Sequence, residues 1–445
     1  MENQLTRKTL ASYSAITIPM SAMGMPIAVY LPRFYSEGMG LALITVGTIF
    51  TIARVWDVIT DPIMGVLIDR FDTRWGRRKH WVALSVPLLV LSVWMVFMPD
   101  REVVSGLYLL FWLILLYVGY TMLAISHQSW GAELTSSYDD RSRLFGWREI
   151  FVIGGMTVVL GIPAAMELSG HADQESKVAS MGWFCLVLFP LLAIPAIAWV
   201  PDSRARPVAS TPWREALKVL ISNHLMWRLL LADLGAGVAF GVSGALYIFI
   251  ASAYFELPEH ASLALLFFFL SGFIAMPLWM KLAYAIGKDQ SMKISVVYMA
   301  AINLALIPLA EAGNVVILWA FTILFGAGFG APPTLVRSMM ADVVDEDELK
   351  SGQARPAMFF ALLTTTNKLG AALAVGASFW ILDLVVGFVP GGENSPETLH
   401  GLLLTYTLGA VLGLLAAWFP LVNYPLTKTV HAEIRRRLAV KMTGS

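Results

Sequence analysis

Twelve long apolar runs follow one another along the chain, and they restrict it to one class of fold. Each run is close to the roughly 20 residues that a helix needs to cross a bilayer, and is too long for a strand of a membrane barrel. None shows the strict alternation of a strand. With 57% hydrophobic and only 14% charged residues, the chain also has the composition of a membrane protein. We predict an all-α membrane protein with spans at 10–31, 41–68, 81–98, 104–127, 147–166, 180–200, 225–252, 261–285, 291–310, 315–339, 357–388 and 400–423.

The basic residues between the runs test the number of spans. If the N-terminus is cytoplasmic, 25 of the 31 lysine and arginine residues fall in cytoplasmic segments and 3 fall in external loops. Because cytoplasmic loops carry the excess of positive charge, this distribution predicts an even number of spans with both termini in the cytoplasm. The first run is too long for the core of a signal peptide. We expect a multi-pass protein of the plasma membrane, which in a bacterium is the inner membrane.

A polar segment with three prolines divides the chain near its middle. We predict a six-helix half at 1–200, a cytoplasmic linker at 201–224, a second six-helix half at 225–424 and a cytoplasmic tail at 425–445. The loops at 131–151 and 340–360, six spans apart, also resemble each other, since both carry an acidic cluster followed by basic residues. Such a repeat is typical of transporters whose solute site lies between two halves near the middle of the membrane.

Several classes of protein are excluded by what the chain does not contain. Its single cysteine, Cys185, allows neither an intramolecular disulfide nor a cysteine metal site. Its formal charge of zero gives no reason to expect a nucleic acid partner. We find no catalytic Ser, His and Asp order and no glycine-rich phosphate loop, so we expect no enzyme and no cofactor apart from a coupling ion. The expected partners are a small solute, a coupling cation and the lipid bilayer, and we expect a monomer.

Three ionisable residues interrupt the second run, at Arg54, Asp57 and Asp61. A charge at the middle of a bilayer costs about 3 kcal/mol or more, so such residues normally face a cavity or a partner. The spacing i, i+3, i+7 places all three on one face of a helix. Two carboxylates one turn apart repel each other when both are ionised. We therefore expect compensation from Arg54, from Lys368 in the eleventh run, from a bound proton or from a metal cation.

Two interpretations of these acids remain open from the residues alone. Salt bridges to Arg54 and Lys368 would be purely structural. Two carboxylates with neutral oxygens from Thr60 and Thr121 would instead suit Na⁺, a hard cation that prefers oxygen ligands, or a proton coupled to transport. We favour the second interpretation because a salt bridge would need only one acid. Lys368 is predicted either to face the cavity or to extend its charge to the cytoplasmic edge.

Other polar residues near these spans are candidates for cavity lining or for ion pairing. Tyr120 and Gln128 lie in the fourth run and have side chains suited to a solute cavity. Charged residues at the cytoplasmic ends of the spans are expected to pair across loops and to hold an inner gate shut. The members of this gating set, apart from Arg54, are Asp69, Arg70, Arg77, Arg78, Glu133, Arg141, Asp342 and Arg355.

Four stretches of the chain resemble the glycoside–pentoside–hexuronide:cation symporters of the major facilitator superfamily. The stretch "RVWDVITDPIMGVLIDR" with the following "RWGRRKHW" (54–81) is similar to the second helix and loop of that family. "LPRFY" (31–35), the segment 120–149 and the segment 339–370 are similar to the end of helix 1, to helix 4 with its loop and to the loop into helix 11. The resemblance covers both halves and implies the major facilitator fold.

The resemblance also implies roles for individual residues. In this family the two acids of helix 2 bind the coupling cation, which is Na⁺, Li⁺ or H⁺, and that role falls on Asp57 and Asp61. Thr121 matches a helix-4 threonine that joins the site in the melibiose permease type. Lys368 and Arg148 match the helix-11 lysine and the arginine entering helix 5. Thr60 stands where the melibiose type has asparagine, which leaves the choice of cation open.

The expected solute site departs from the melibiose type. Ser21 and Ala124 occupy the positions of two aspartates that bind the galactoside, and Gln128 occupies that of a tryptophan. We expect symport of a sugar, glycoside or uronide with Na⁺ or H⁺ by alternating access. A cation-coupled carrier of an amphiphile such as a lysolipid, and a proton-coupled exporter, remain alternatives.

Overall fold

The computed structural model describes residues 5–71, 73, 76–134, 138–170, 173–202, 223–351 and 356–443. Within these residues, twelve helices are long and apolar enough to cross a membrane, which confirms the prediction of a twelve-span, all-α protein. A further helix follows the last of them. The bounds are Arg7–Gly38 (α1), Leu43–Arg70 (α2), Lys79–Phe97 (α3), Gly106–Glu133 (α4), Tyr138–Leu168 (α5), Gln174–Trp199 (α6), His224–Phe249 (α7), Ala261–Ile286 (α8), Lys288–Leu309 (α9), Val315–Phe329 with Ala331–Ser351 (α10), Pro356–Ile381 (α11), Pro396–Trp418 (α12) and Lys428–Thr443 (α13).

The helix α10 extends twelve residues beyond the predicted end of its span, to Ser351. This extension is rich in acids, so hydropathy alone ends the span before it. Its apolar residues nevertheless recur at helical spacing, and Met340, Val343 and Val344 are buried in one hydrophobic cluster against which Leu349 packs. The extension is therefore an amphipathic helix held by packing on its apolar face.

The described residues group into two compact units. The first contains α1 to α6, and the second contains α7 to α13. Two short segments are exceptions to chain order, because residues 258–266, which include the first turn of α8, and residues 389–393 group with the first unit.

Close packing between α1 and α5 in the first unit depends on a glycine. A Cβ atom at Gly155 would lie 2.4 Å from the carbonyl oxygen of Ile18 and 2.5 Å from Oγ of Ser21. The neighbouring Gly154 faces outward, and a Cβ there would meet nothing within 4 Å. These adjacent glycines form a matched pair in which only one is needed for helix packing.

We expect Gly155→Ala to lower the free energy of unfolding by about 1–3 kcal/mol, because the added methyl group overpacks the contact with α1. Gly154→Ala should be neutral or stabilising by up to about 1 kcal/mol, since alanine favours the helix. Thermal unfolding of both variants in the same detergent checks this. Equal midpoints for the two would contradict the assigned contact.

In the second unit, α7 packs against α11 with their backbones close together. A Cβ atom at Gly237 would lie 2.5 Å from the carbonyl oxygen of Asn367, and one at Gly370 would lie 2.3 Å from that of Leu234. Side chains larger than hydrogen do not fit at these two positions. The contact therefore fixes the register of the two helices and places Asp233 of α7 beside Asn367 of α11.

The helix α13, within the predicted tail, packs on the second unit. Ile434 and Leu438 are buried in the same hydrophobic cluster as the extension of α10. On its exposed face, hydrogen bonds from Arg436 and Arg437 hold the pKa of the Glu433 carboxyl at about 2. The tail is therefore anchored by apolar contacts and carries an ion-pair network on its outer face.

Candidate cation site and surrounding polar residues

The helix α2 brings Arg54, Asp57 and Asp61 onto one face, as their spacing predicts. Asp57 is 1% exposed, and Asp61 is half-buried. Arg54 lies 3.5 Å from Asp57, measured from Nη1 to Oδ2, and its guanidinium stacks over the ring of Tyr117. Two carboxylates and one guanidinium leave a net charge of −1 when both acids are ionised. Arg54 alone does not neutralise this face.

The hydroxyl group of Thr121 on α4 joins the two acids. Its Oγ1 atom lies 2.8 Å from Oδ1 of Asp57 and 2.9 Å from Oδ1 of Asp61. A threonine hydroxyl has one hydrogen, so it donates to one of these oxygens at a time. The approach of the second oxygen is favoured by a proton on one carboxyl group or by a cation between them. The geometry thus brings two carboxylates and a hydroxyl, from two adjacent helices, within reach of one bound ion.

The strength of the repulsion between the acids follows from the same distances. Both Oδ1 atoms lie against one hydroxyl oxygen, so they are within about 6 Å of each other. Two like charges at that distance repel by about 3 kcal/mol at an effective dielectric constant of about 20. A bound proton or monovalent cation removes this repulsion.

Thr60 contributes less directly than the sequence suggests. Its hydroxyl donates to the carbonyl oxygens of Trp56 (3.0 Å) and Asp57 (3.2 Å), which belong to its own helix. A threonine one turn below a carbonyl commonly bonds in this way. Its lone pairs remain able to accept or coordinate, but the described contacts do not connect it to either carboxylate.

The donor set around Asp57, Asp61 and Thr121 consists of oxygen atoms only. Oxygen ligands suit alkali cations and protons, whereas transition metals favour imidazole or thiolate. In the part of the chain that the structure describes, no three His, Cys, Asp or Glu residues come together in an arrangement that would hold a metal ion.

The predicted cavity residues of the first unit occupy different environments. Ser21 donates to the carbonyl oxygens of Ile18 (3.0 Å) and Val152 (2.9 Å), so its hydroxyl serves the contact between α1 and α5. Ala124 is half-buried and Gln128 is exposed on α4. Tyr120, one residue before Thr121, is half-buried and lies near Arg54.

A buried polar cluster near these residues was not identified from the sequence. Tyr13 of α1 stacks on His127 of α4 with ring centroids 4.0 Å apart. Its hydroxyl donates to the carbonyl oxygen of His127, and Nε2 of His127 donates to that of Tyr13, both at 2.8 Å. Ser14 and Ser126, the chain neighbours of this pair, are fully buried. Their hydroxyl oxygens have no hydrogen-bond partner among the described residues.

Arg148 lies on α5, which begins nine residues before its predicted start. Its side chain is half-buried, and its Nε atom is buried without a hydrogen-bond partner among the described residues. The charge of Arg148 acts on both Tyr13 and His127. Together with Ser14 and Ser126, it provides hydrogen-bonding capacity inside the first unit that the protein does not use itself.

Two of the predicted gating residues lie at the turn before α3. Arg78 is 3% exposed, and its Nη1 donates to the carbonyl oxygen of Ile68 at 3.3 Å. Asp202, which sequence reasoning missed, accepts the backbone N–H groups of Arg78 (3.2 Å) and Lys79 (3.4 Å) at the start of α3. Gly76 has φ +114°, and the carboxylate of Asp202 occupies the space where a Cβ would be. Arg77 adjoins this turn. The turn between α2 and α3 is therefore held by hydrogen bonds to the carboxylate of Asp202, which follows α6.

Asp342, a member of the predicted gating set, forms ion pairs with residues of the second unit. Nζ of Lys288 lies 2.6 Å from Oδ1 and 2.7 Å from Oδ2 of Asp342. Nε2 of His431 on α13 lies 3.4 Å from Asp342 and 2.9 Å from Asp345. Lys368 is half-buried on α11. The side chains of Asp69, Arg70, Glu133 and Arg141, and the whole of Arg355, lie outside the described residues.

Comparison with known proteins gives the family. Residues 12–428 match the family described as MFS/sugar transport protein. The inner membrane symporter YicJ of Escherichia coli is 25% identical over 94% of this chain and 93% of its own. The isoprimeverose transporter of Lactiplantibacillus pentosus is 24% identical over 94% and 86%. The human sodium-dependent lysophosphatidylcholine symporter 1 is 22% identical over 88% and 78%.

A solved structure supports the same fold. The nucleoside transporter NupG superimposes with a TM-score of 0.67 over 94% of this chain and 99% of its own, at 14% identity. These findings confirm the resemblance to the glycoside–pentoside–hexuronide:cation symporters and the prediction that the chain is not an enzyme. The chain belongs to the MFS/sugar transport family of the major facilitator superfamily and is a multi-pass inner-membrane transporter of the symporter type.

Proposed function

We propose that the protein is a symporter that binds its coupling ion, Na⁺ or H⁺, at Asp57 and Asp61. One observation carries the proposal: a single hydroxyl, that of Thr121, lies within hydrogen-bonding distance of both carboxylates. Their mutual repulsion favours a bound cation or proton, and the half-buried Arg54 supplies one positive charge for two carboxylates. Static pairing with Arg54 alone would not need the second acid or the bridging threonine.

For the solute we propose a sugar, a glycoside or a uronide. Relatives of this chain include an isoprimeverose transporter and a glucuronide carrier protein homolog, the second 23% identical over 98% of this chain. The free hydrogen-bonding capacity of Arg148, Ser14 and Ser126 suits a polar solute, and an arginine suits the carboxylate of a uronide. Ser21 and Ala124 supply no carboxylate for a galactoside, so the mode of sugar binding differs from that of the melibiose type.

An amphiphilic solute is the second candidate. A relative that carries lysophosphatidylcholine matches 88% of this chain, and the replacement of two solute-binding acids by Ser21 and Ala124 makes the expected site less polar. Import and export use the same acids, so the direction of transport follows from the ion gradient and from the solute.

Coupling in this proposal is a free energy shared by two sites. Binding of the ion removes the repulsion between Asp57 and Asp61 and raises the affinity for solute, and bound solute raises the affinity for the ion by the same factor. Transport then proceeds by alternating access. We also propose that both termini are cytoplasmic and that residues 201–224 link two six-helix halves, from the 25-to-3 distribution of basic residues.

A ligand screen on purified protein tests the proposal. Thermal unfolding is measured with isoprimeverose, methyl glucuronide or lysophosphatidylcholine, each in sodium chloride and in choline chloride, at two pH values. We expect one solute class to raise the unfolding midpoint, and to raise it further with Na⁺ or at the lower pH. Uptake into proteoliposomes under an imposed ion gradient then gives the direction. The proposal would be overturned if the rate and extent of solute uptake were independent of every imposed Na⁺ and H⁺ gradient.

A further inference from the structure

A second intramembrane acid lies in the second unit, away from the candidate cation site. Asp233 is on α7 and is only 3% exposed. The span that contains it runs from His224 to Tyr254, which is about 46 Å of helix. A hydrocarbon core of about 30 Å covers roughly its middle twenty residues, and Asp233 falls among them. An acid at this depth is expected to have a function and a definable partner.

The direct partner of Asp233 is a neutral amide. Nδ2 of Asn367 lies 3.3 Å from Oδ1 of Asp233 and 3.5 Å from its backbone carbonyl oxygen. The glycines Gly237 and Gly370 hold α7 and α11 in the register that brings the two side chains together. Among the described residues, no lysine or arginine lies within 4.0 Å of this carboxyl group.

An asparagine can serve both protonation states of an acid. Its N–H groups donate to an ionised carboxylate, and its carbonyl oxygen accepts the O–H of a protonated one after a flip of the amide. Neither state of Asp233 is then left without a hydrogen bond. This distinguishes the pair from a salt bridge, which loses its main interaction when the acid is protonated.

One cation acts on Asp233 from a neighbouring helix. Asp233 is buried within a membrane span, and Arg337 on α10 is close enough for its charge to act on the carboxyl group. Arg337 is exposed and donates to the carbonyl oxygen of Pro333, which moderates its effect. Lys368 follows Asn367 on α11. Arg228 on α7 itself donates to carbonyl oxygens at Pro420 and Asn423.

The remaining helix packed on α7 brings no charge near Asp233. The helix α12 meets α7 at Ala416 and Ala417, close to Gly235. Its ionisable Glu397 and His400 are about 25 Å further along α12. The surroundings that act on the carboxyl group of Asp233 are therefore its burial, Asn367 and the cation Arg337.

We propose that Asp233 is a proton-binding site of the second unit, which binds and releases a proton during the transport cycle independently of the ion at Asp57 and Asp61. Asn367 positions the carboxyl group in both states. Protonation removes one negative charge from the interior of this unit, where the charge of Arg337 acts on it. The role in transport rests on the proposed function, whereas proton binding itself does not.

Infrared spectroscopy of purified protein tests proton binding without any solute. Protein in choline chloride is titrated from acidic to alkaline pH, and the carbonyl band of protonated carboxylic acids is followed. We expect a component that disappears as the pH is raised, that is absent in Asp233→Asn and that persists in Asp57→Asn and Asp61→Asn. An identical titration for wild type and Asp233→Asn overturns the proposal.

A second variant keeps the test valid if Asp233→Asn does not fold. Arg337→Gln removes an exposed positive charge that favours the ionised form, so the midpoint of the same band should move to higher pH by about half a unit or more. An unmoved midpoint contradicts the assignment to Asp233. Failure of ion-driven uptake in the wild type would overturn the proposed function alone, because the infrared titration needs neither solute nor gradient.

Discussion

Replacing Asp57 by asparagine is expected to abolish ion-driven solute accumulation in proteoliposomes, and Asp61→Asn is expected to do the same. Either change removes the charge that makes this pair attract a cation, and either leaves the helix packing intact because asparagine has the same shape. Any residual cation-dependent uptake should need a cation concentration about 100-fold higher or more, since loss of even an outer ligand partner costs about 10–100-fold in metal affinity. Solute exchange without a gradient should survive. Uptake driven by a Na⁺ or pH gradient is measured in parallel with solute exchange, which separates the loss of coupling from a loss of solute binding.

Thr121→Val extends the same test to the bridging hydroxyl. It removes the atom that lies 2.8 and 2.9 Å from the two acids while keeping the volume of the side chain. We expect a cation dependence weaker by about 10–100-fold, a smaller effect than for either acid. Thr157→Val is the matched control, because that exposed hydroxyl donates only to the carbonyl oxygen of Ile153 on its own helix. Wild-type coupling in both acid variants would remove Asp57 and Asp61 from the ion site.

The elements of this fold that hydropathy determines were predictable, and those that depend on tertiary packing were not. The twelve spans follow from the length of the apolar runs. In a bilayer without water, an apolar segment must pair its own backbone N–H and C=O groups, so it forms a helix. The continuation of α10 to Ser351 was missed because its acids end the hydropathy signal, although Met340, Val343 and Val344 recur at helical spacing. Buried apolar contacts outweigh the exposed charges there.

The acids of α2 were predictable because both lie on one helix, where i, i+4 spacing fixes their geometry. The bridge through Thr121 joins residues 60 and 64 positions apart, and a lone threonine in an apolar helix is an ordinary residue. The residues alone offered Thr121 only as one of two threonines that could add a neutral oxygen, and the resemblance to a family matched it to the site. Tyr13 with His127, and Asp202 with the turn at Gly76, are likewise contacts between distant segments that no local pattern encodes.

Asp233 illustrates a different limit. The rule that identifies Asp57 and Asp61, an acid within an apolar run, applies to it equally. A single aspartate gives no like-charge repulsion and no helical spacing to interpret, so its environment decides its role. That environment consists of Asn367 on α11 and Arg337 on α10, and it depends on glycine contacts that a sequence does not reveal.

A buried ion pair in the first unit gives the largest expected effect on stability. Nζ of Lys177 on α6 lies 2.7 Å from Oε1 of Glu167 at the end of α5, and the two side chains are 4% and 0% exposed. The carboxylate of Glu167 also accepts the backbone N–H groups of Ser262 (2.9 Å) and Leu263 (3.4 Å) in the first turn of α8. It thus satisfies both a buried cation and the free N–H groups of a helix start.

We expect Lys177→Met to lower the free energy of unfolding by about 3–5 kcal/mol, because it leaves the carboxylate of Glu167 buried without its cation. The double variant Glu167→Gln with Lys177→Met should recover part of this loss, since no unpaired charge remains and the amide oxygen still accepts from α8. Thermal unfolding in detergent, with a shift of several degrees in the midpoint, is the measurement.

The pair of Arg101 with Glu175 supplies the control for burial. Its N–O distance of 2.6 Å is almost the same and Glu175 is also on α6, but the side chains are 64% and 56% exposed. Arg101→Met should therefore change the free energy of unfolding by less than about 1 kcal/mol, because water screens the exposed pair. If the two methionine variants lost equal stability, burial would not be the cause, and the capping of α8 by Glu167 would have to be explained without the charge of Lys177.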